Sequence, residues 1–203
     1  NGVCGDHLQA SGSALAIKPQ LLPAEARRGQ AKPRGRSARS RSRHVLVLIH
    51  GLCMNDLQWR SRRDPGHGEA LAEALGATPM YFRYNSGLSI THNGRALSEA
   101  LDAWLAEQDR APARISLIGH SMGGLVARSA ELEARASGRA WREALRELVL
   151  IGTPNEGAPL ERLGHAFERV LAAAPYAHHF TRLGAVRSRG ILDLRHAELG
   201  EGS

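Results

Sequence analysis

The heptapeptide Ile118-Gly119-His120-Ser121-Met122-Gly123-Gly124 decides how this chain folds. The residues before it, Arg114 to Ile118, form a short apolar run of the kind that makes a buried strand. The residues after it, Met122 to about Ala136, carry helical spacing. A strand that turns into a helix across Gly-x-Ser-x-Gly forces the serine into a strained backbone conformation. Side chains at Gly119 and Gly123 would collide with the neighbouring strand and helix, so both positions call for glycine. The turn leaves the Ser121 hydroxyl at the carboxyl end of the sheet, where sites of α/β proteins form. The first turn of the helix aims the Met122 N–H, and the positive end of the helix dipole, at any oxyanion formed there.

Outward from this turn, strands and helices alternate. Val45 to Ile49 is a continuous apolar run and reads as a strand. A helix is expected from about Gly68 to Leu75, a strand around Met80 to Tyr84, and a longer helix from about Asn93 to Glu107 with Leu97, Leu101, Trp104 and Leu105 at helical spacing. After the Met122 helix, a further helix over Trp141 to Arg146 is expected to run into a fourth strand, Leu148 to Ile151. Strands that read as unbroken apolar runs, alternating with helices, specify an α/β fold: a mostly parallel sheet with helices on both faces.

A second element supports acyl chemistry. His50-Gly51-Leu52 closes the first strand. An acyl-transfer site needs two donors on the oxyanion. The Met122 N–H supplies one, and Leu52 is the candidate for the second, with Gly51 letting the loop bend close and His50 orienting it. His120 is adjacent to the serine on a tight turn and is read as packing or polar support, not as the base. Gly152-Thr153-Pro154 with Gly157 ends the fourth strand and is a candidate wall of the pocket.

These three segments resemble α/β-hydrolases of the lipase/esterase kind. The chain is similar to bacterial triacylglycerol lipase-like esterases and to the hydrolase domain of enzymes that deacylate glycosylphosphatidylinositol inositol. The resemblance covers about His44 to Pro159, with a weaker extension through Ile191 to Arg195. It implies Ser121 as nucleophile and the Leu52 and Met122 amides as oxyanion hole, supported by His50, Gly51, Gly119, His120 and Gly123. It also implies a cap between Leu160 and Arg189. A small-molecule or lipid ester is expected as substrate, the sequence carries no metal-type cluster, and the chemistry needs no cofactor. Acyl transfer to an alcohol and thioester cleavage are open on the same serine, as is a binding protein that keeps the fold without catalysis.

Such enzymes complete their triad with an acid and then a histidine later in the chain. Here Asp193 and His196 are the weak candidates within the sequence, and the acid and base are expected beyond Ser203. The chain is therefore read as part of a longer protein, with little turnover in isolation because an unassisted serine hydroxyl is a weak nucleophile.

The sequence has 203 residues and a net charge of +7, from 27 Lys and Arg against 20 Asp and Glu. Eight of the 27 basic residues lie between Arg27 and Arg43, where there is no acid; removing them leaves 19 against 20. The excess belongs to one Arg/Ser-rich segment, read as a flexible linker between an N-terminal segment (1–26) and a hydrolase domain (44–203). The N-terminal segment carries a weak helical pattern over Ser13 to Arg28. Nucleic-acid binding through the arginines is the weaker reading, because no aromatics are interleaved with them. Peripheral contact with an anionic membrane surface is open for the same charges. Cys4 and Cys53 have no metal-type spacing, and compartment and oligomeric state are left open.

Overall fold

The computed structural model describes residues 5–24, 42–59, 66–108, 112 and 114–155. Its centre is the strand β2 (His44–Ile49), in which every residue from Val45 to Ile49 is buried. Side chains alternate across a strand. Val45, Val47 and Ile49 therefore enter one core, and Leu46 and Leu48 the other. An unbroken apolar run is what a strand covered on both faces requires.

β2 is flanked by β3 (Thr78–Arg83) on one side and β4 (Arg114–His120) on the other, both parallel to it. Beyond β4 lies β5 (Leu145–Ile151), also parallel, and beyond β3 lies β1 (Gln20–Pro23), antiparallel. The order is β1-β3-β2-β4-β5. The helix α2 (His67–Ala74) connects β2 to β3 and covers one face, where Ala72 meets Leu46, Leu48, Tyr81 and Ile118. On the other face α3 (Ile90–Ala106) packs against α4 (Met122–Ser137). That core is larger: Leu97 and Leu101 of α3 and Leu125, Val126 and Ala130 of α4 join Phe82, Leu117 and Trp141. Each fully buried aliphatic side chain of this kind stabilises the fold by roughly 1.5–3 kcal/mol.

Three sequence expectations are corrected. Helix α1 (Gly5–Ala10) precedes β1, so the helical pattern over Ser13 to Arg28 is not a helix within the described residues; Leu21 and Leu22 pair with Phe82 and Tyr81 of β3 instead. The Pro at the end of this strand suits an edge position, where no ladder donor is lost. Helix α5 is short (Trp141–Ala144), and β5 starts at Leu145 rather than Leu148. The pairing Ile115 with Leu145, then Ser116 with Glu147, contains a bulge that leaves Arg146 as the one extra residue. Helix α3 starts at Ile90, before the expected Asn93, because the Ser89 side chain caps it by accepting the His92 N–H at 3.1 Å.

Neighbouring parallel strands carry their C-terminal loops to the same edge. Ile49 is in register with Gly119, so the loop after β2 and the turn after β4 emerge side by side. β3 and β4 lie on opposite sides of β2, so this edge holds the switch in strand order at which α/β sheets form their crevices. Most of the Arg-rich stretch, the expected cap, Cys4, Gly157, and Asp193 with His196 lie outside the described residues.

Candidate active site

Ser121 is the single residue between β4 and α4, with φ 54° and ψ −125°. Positive φ is disfavoured for a residue with a Cβ and costs roughly 1–3 kcal/mol. Among the described residues one other non-glycine shares it: Cys53, φ 56°, in the loop after β2. The two strained residues thus sit in the two loops that share the sheet edge.

The glycines around Ser121 are explained by space. A Cβ on Gly119 would lie 2.4 Å from the backbone of Gly124, and one on Gly123 would lie 2.5 Å from the His50 carbonyl oxygen. Both collisions are with main chain, which has no rotamer to escape into. They let α4 start directly against β2 and β4. The Ser121 N–H donates to the Ile151 carbonyl at 2.8 Å, and the Ser121 carbonyl accepts from Gly124 N–H at 3.0 Å and from the Thr153 hydroxyl at 3.1 Å. Met122 opens the helix, and its N–H has no acceptor among the described residues.

The loop after β2 lies directly over the serine: a Cβ on Gly51 would stand 3.3 Å from the Ser121 Cβ and from the His120 ring. Three of its amides have acceptors. Gly51 N–H donates to Gln58 Oε1 at 3.2 Å, Cys53 N–H to Ser86 Oγ at 3.1 Å, and Met54 N–H to the Gly51 carbonyl at 3.3 Å. The Leu52 N–H, next to the serine turn, has no described acceptor. Asp56, in the 3-10 turn Asp56–Trp59, anchors the far end of the loop. It receives Arg83 Nε at 2.8 Å and Nη2 at 3.2 Å.

His50 holds the near end. The ring is fully buried, and Nδ1 lies 2.9 Å from the Gly51 carbonyl. The Tyr84 N–H approaches Nε2 at 3.4 Å. Burial pulls its pKa down from 6.5 to about 4, with a smaller opposing pull from the Gly51 hydrogen bond. The ring is neutral at pH 7, and accepting at Nε2 puts its proton on Nδ1, donating to Gly51. A trans peptide directs C=O and N–H to opposite sides. Holding the Gly51 carbonyl therefore turns the Leu52 N–H the other way.

The sequence profile of the PGAP1-like alpha/beta domain matches residues 41–191, which include both strand-end loops and the serine turn. The chain belongs to the PGAP1-like alpha/beta domain family. It carries the α/β-hydrolase fold. Among solved structures, the PGAP1-like domain is similar to the lipase BlEst2 of Bacillus licheniformis in its mature form, with TM-score 0.53 and 18% identity over 76% of this chain and 56% of the lipase. Against the propeptide form of that lipase the TM-score is 0.55, with 17% identity over 88% of this chain and 33% of the other. The chain therefore spans little more than half of the mature lipase. Among curated protein sequences none matches.

The PGAP1-like domain brings Leu52, Gly51, His50, Gly119, His120, Ser121, Met122 and Gly123 together at one edge of the sheet. His120 makes no hydrogen bond to Ser121; its ring lies against Gly51, its Nδ1 is buried without a partner, and burial lowers its pKa. The described acids that follow Ser121 are engaged elsewhere or solvent-facing. Glu131 pairs with Arg142, Glu133 with Arg139, and Glu147 with Arg114 and Ser116, while Glu143 is exposed. All four histidines after Ser121, namely His165, His178, His179 and His196, lie outside the described residues. Among the described residues no group of three His, Cys, Asp or Glu is placed to hold a metal ion. Sequence reasoning missed Tyr84, the Asp56–Arg83 pair and the backbone contact of Thr153.

Proposed function

We propose that this chain is the nucleophile-bearing part of a serine hydrolase that cleaves carboxylic esters, lipid-like or short-chain, through an acyl-enzyme. One observation carries the reading: a serine held at positive φ between a strand and a helix, with two unengaged amides, Leu52 and Met122, in the loops beside it. Strain of this kind persists where surrounding structure enforces it, and it clusters at reactive sites.

In the proposed reaction the Ser121 Oγ attacks the ester carbonyl carbon while its proton passes to a histidine base supplied outside the described residues. The carbonyl π pair moves onto oxygen, and the two amides stabilise the oxyanion. The C–O bond to the alcohol breaks, the alcohol leaves with the proton, and the acyl group stays on Ser121. Water, deprotonated by the same base, attacks the acyl carbon. It releases the carboxylic acid and returns the proton to Ser121. An oxyanion donor is typically worth about 100- to 1000-fold in rate. The low pKa of buried His50 suits a ring that orients a peptide and remains uncharged.

The reading is tested with short- and long-chain p-nitrophenyl esters on the natural full-length protein and its Ser121→Ala variant. Ester hydrolysis that falls to background in the variant supports it, and transfer of the acyl group to an added alcohol instead of water would reassign the chemistry to acyl transfer. Turnover that survives Ser121→Ala would remove the serine from the mechanism.

A further inference from the structure

The end of β5 and the loop after it have no part in the reaction just described, yet they grip the serine backbone at both polar groups. The Ile151 carbonyl accepts the Ser121 N–H at 2.8 Å, and the Thr153 hydroxyl donates to the Ser121 carbonyl at 3.1 Å. The Thr153 side chain sits tightly against the first turn of α4: a Cβ on Gly124 would stand 2.0 Å from its Oγ1. The main chain of the same loop is folded on itself, with Asn155 N–H donating to the Thr153 carbonyl at 3.0 Å. The Asn155 side chain accepts from Arg128 of α4, also at 3.0 Å.

The Ser121 carbonyl and the Met122 N–H belong to one planar trans peptide and point to opposite sides of it. A hydroxyl that fixes the carbonyl therefore fixes the direction of the amide. Rotation of this peptide would carry the Met122 N–H away from the oxyanion. It requires breaking the Thr153 bond. The Gly51–Leu52 peptide is treated the same way, by the His50 Nδ1 contact to the Gly51 carbonyl at 2.9 Å. Each of the two unengaged amides is thus the reverse side of a carbonyl held by a side chain from another element or from the strand end.

We infer that Thr153 is a positioning residue whose hydroxyl, bonded to the Ser121 carbonyl, holds the Met122 N–H in the direction of the oxyanion. This rests on the reading of Ser121 as nucleophile. Gly124 N–H also reaches the Ser121 carbonyl, so loss of the hydroxyl weakens the hold without abolishing it.

The experiment compares Thr153→Val, which keeps the shape and removes the hydroxyl, with Thr153→Ser, which keeps the hydroxyl, in the full-length protein on p-nitrophenyl butyrate. Ser121→Ala runs alongside. Thr153→Val is expected to lower kcat by about 10- to 100-fold, below the loss of a whole donor, with KM changed by less than about twofold. Thr153→Ser is expected to recover most of the kcat. If Thr153→Val does not fold, Thr153→Ala takes its place with the same expected loss. A hydroxyl-free variant with wild-type kcat overturns the inference, and so does a Thr153→Ser variant as slow as the hydroxyl-free one. If Ser121→Ala keeps full turnover, the proposed function fails with it. If Ser121→Ala is inactive while Thr153→Val is fully active, the positioning role alone fails.

Discussion

Tyr84 and His50 are joined in three ways: the rings stack at 4.2 Å between centroids, the tyrosine hydroxyl donates to the His50 carbonyl at 2.6 Å, and the Tyr84 N–H meets His50 Nε2 at 3.4 Å. Tyr84 follows the end of β3 and His50 follows the end of β2, so the pair ties two adjacent strand ends together. The arrangement spends a fully buried tyrosine and a fully buried histidine on fixing one loop. Burial also pushes the Tyr84 phenol well above its ordinary pKa, so it stays a donor across the working range.

A pH dependence of stability follows. The folded His50 titrates near 4 and the unfolded one near 6.5, so between these values the unfolded chain binds the proton and the folded chain does not. The contribution of His50 is complete above about pH 6.5 and is lost as the pH falls towards 4, by up to about 3 kcal/mol. Denaturant unfolding of wild type and His50→Asn between pH 8 and pH 4.5 should give curves that converge as the pH falls. Parallel curves would show that the ring is not held neutral.

The strain at Ser121 predicts a stability gain on removing it. Glycine adopts φ 54° without the penalty that a Cβ incurs, whereas alanine does not. Ser121→Gly should be more stable than Ser121→Ala by about 1 kcal/mol, although neither carries the hydroxyl. Equal midpoints for the two variants in thermal or urea melts would mean that the turn is relaxed.

Gly119→Ala and Gly123→Ala should each destabilise the fold by more than about 3 kcal/mol, or leave no soluble protein. The new methyl would meet main chain at 2.4 Å and 2.5 Å respectively. Gly76→Ala is the control, since nothing stands within 4 Å of its Cβ; its cost comes from φ 58° alone and should be about 1 kcal/mol. Similar losses at all three positions would contradict the packing account of the serine turn.

Arg83→Gln should cost about 2 kcal/mol. Asp56 is 1% exposed and Arg83 39%, so the full penalty for breaking a buried pair is reduced by solvent at the arginine. Adding Asp56→Asn should recover part of the loss, because the buried carboxylate is then neutralised. A double variant no more stable than Arg83→Gln would show that the ion pair does not anchor the loop.

What could be read from the sequence divides along a physical line. β2 and β4 are buried on both faces and announce themselves as apolar runs; the helices facing them carry the expected periodicity. β5 is harder to see, because Val149 is 41% and Ile151 44% exposed and Glu147 pairs with Arg114 instead of entering a core. β1 is four residues whose partner strand comes much later in the chain, so no local pattern marks it. At the candidate site, the position of Ser121 and Met122 was legible because the turn imposes residue types at fixed spacing, and that of Gly51 and Leu52 because they follow an apolar strand. Thr153, Tyr84 and Arg83 act on backbone carbonyls or on side chains of other elements. Such contacts exist only once the sheet has formed, and no spacing encodes them.

The reactivity of Ser121 decides between a nucleophile and an incidental serine. Incubating the natural full-length protein with a fluorophosphonate and mapping the adduct by peptide mass spectrometry measures it. The predicted result is one adduct, on Ser121, which forms on the native protein and is absent after denaturation. A protein that hydrolyses esters while its adduct sits on another residue, or that shows no adduct at all, would contradict the claim.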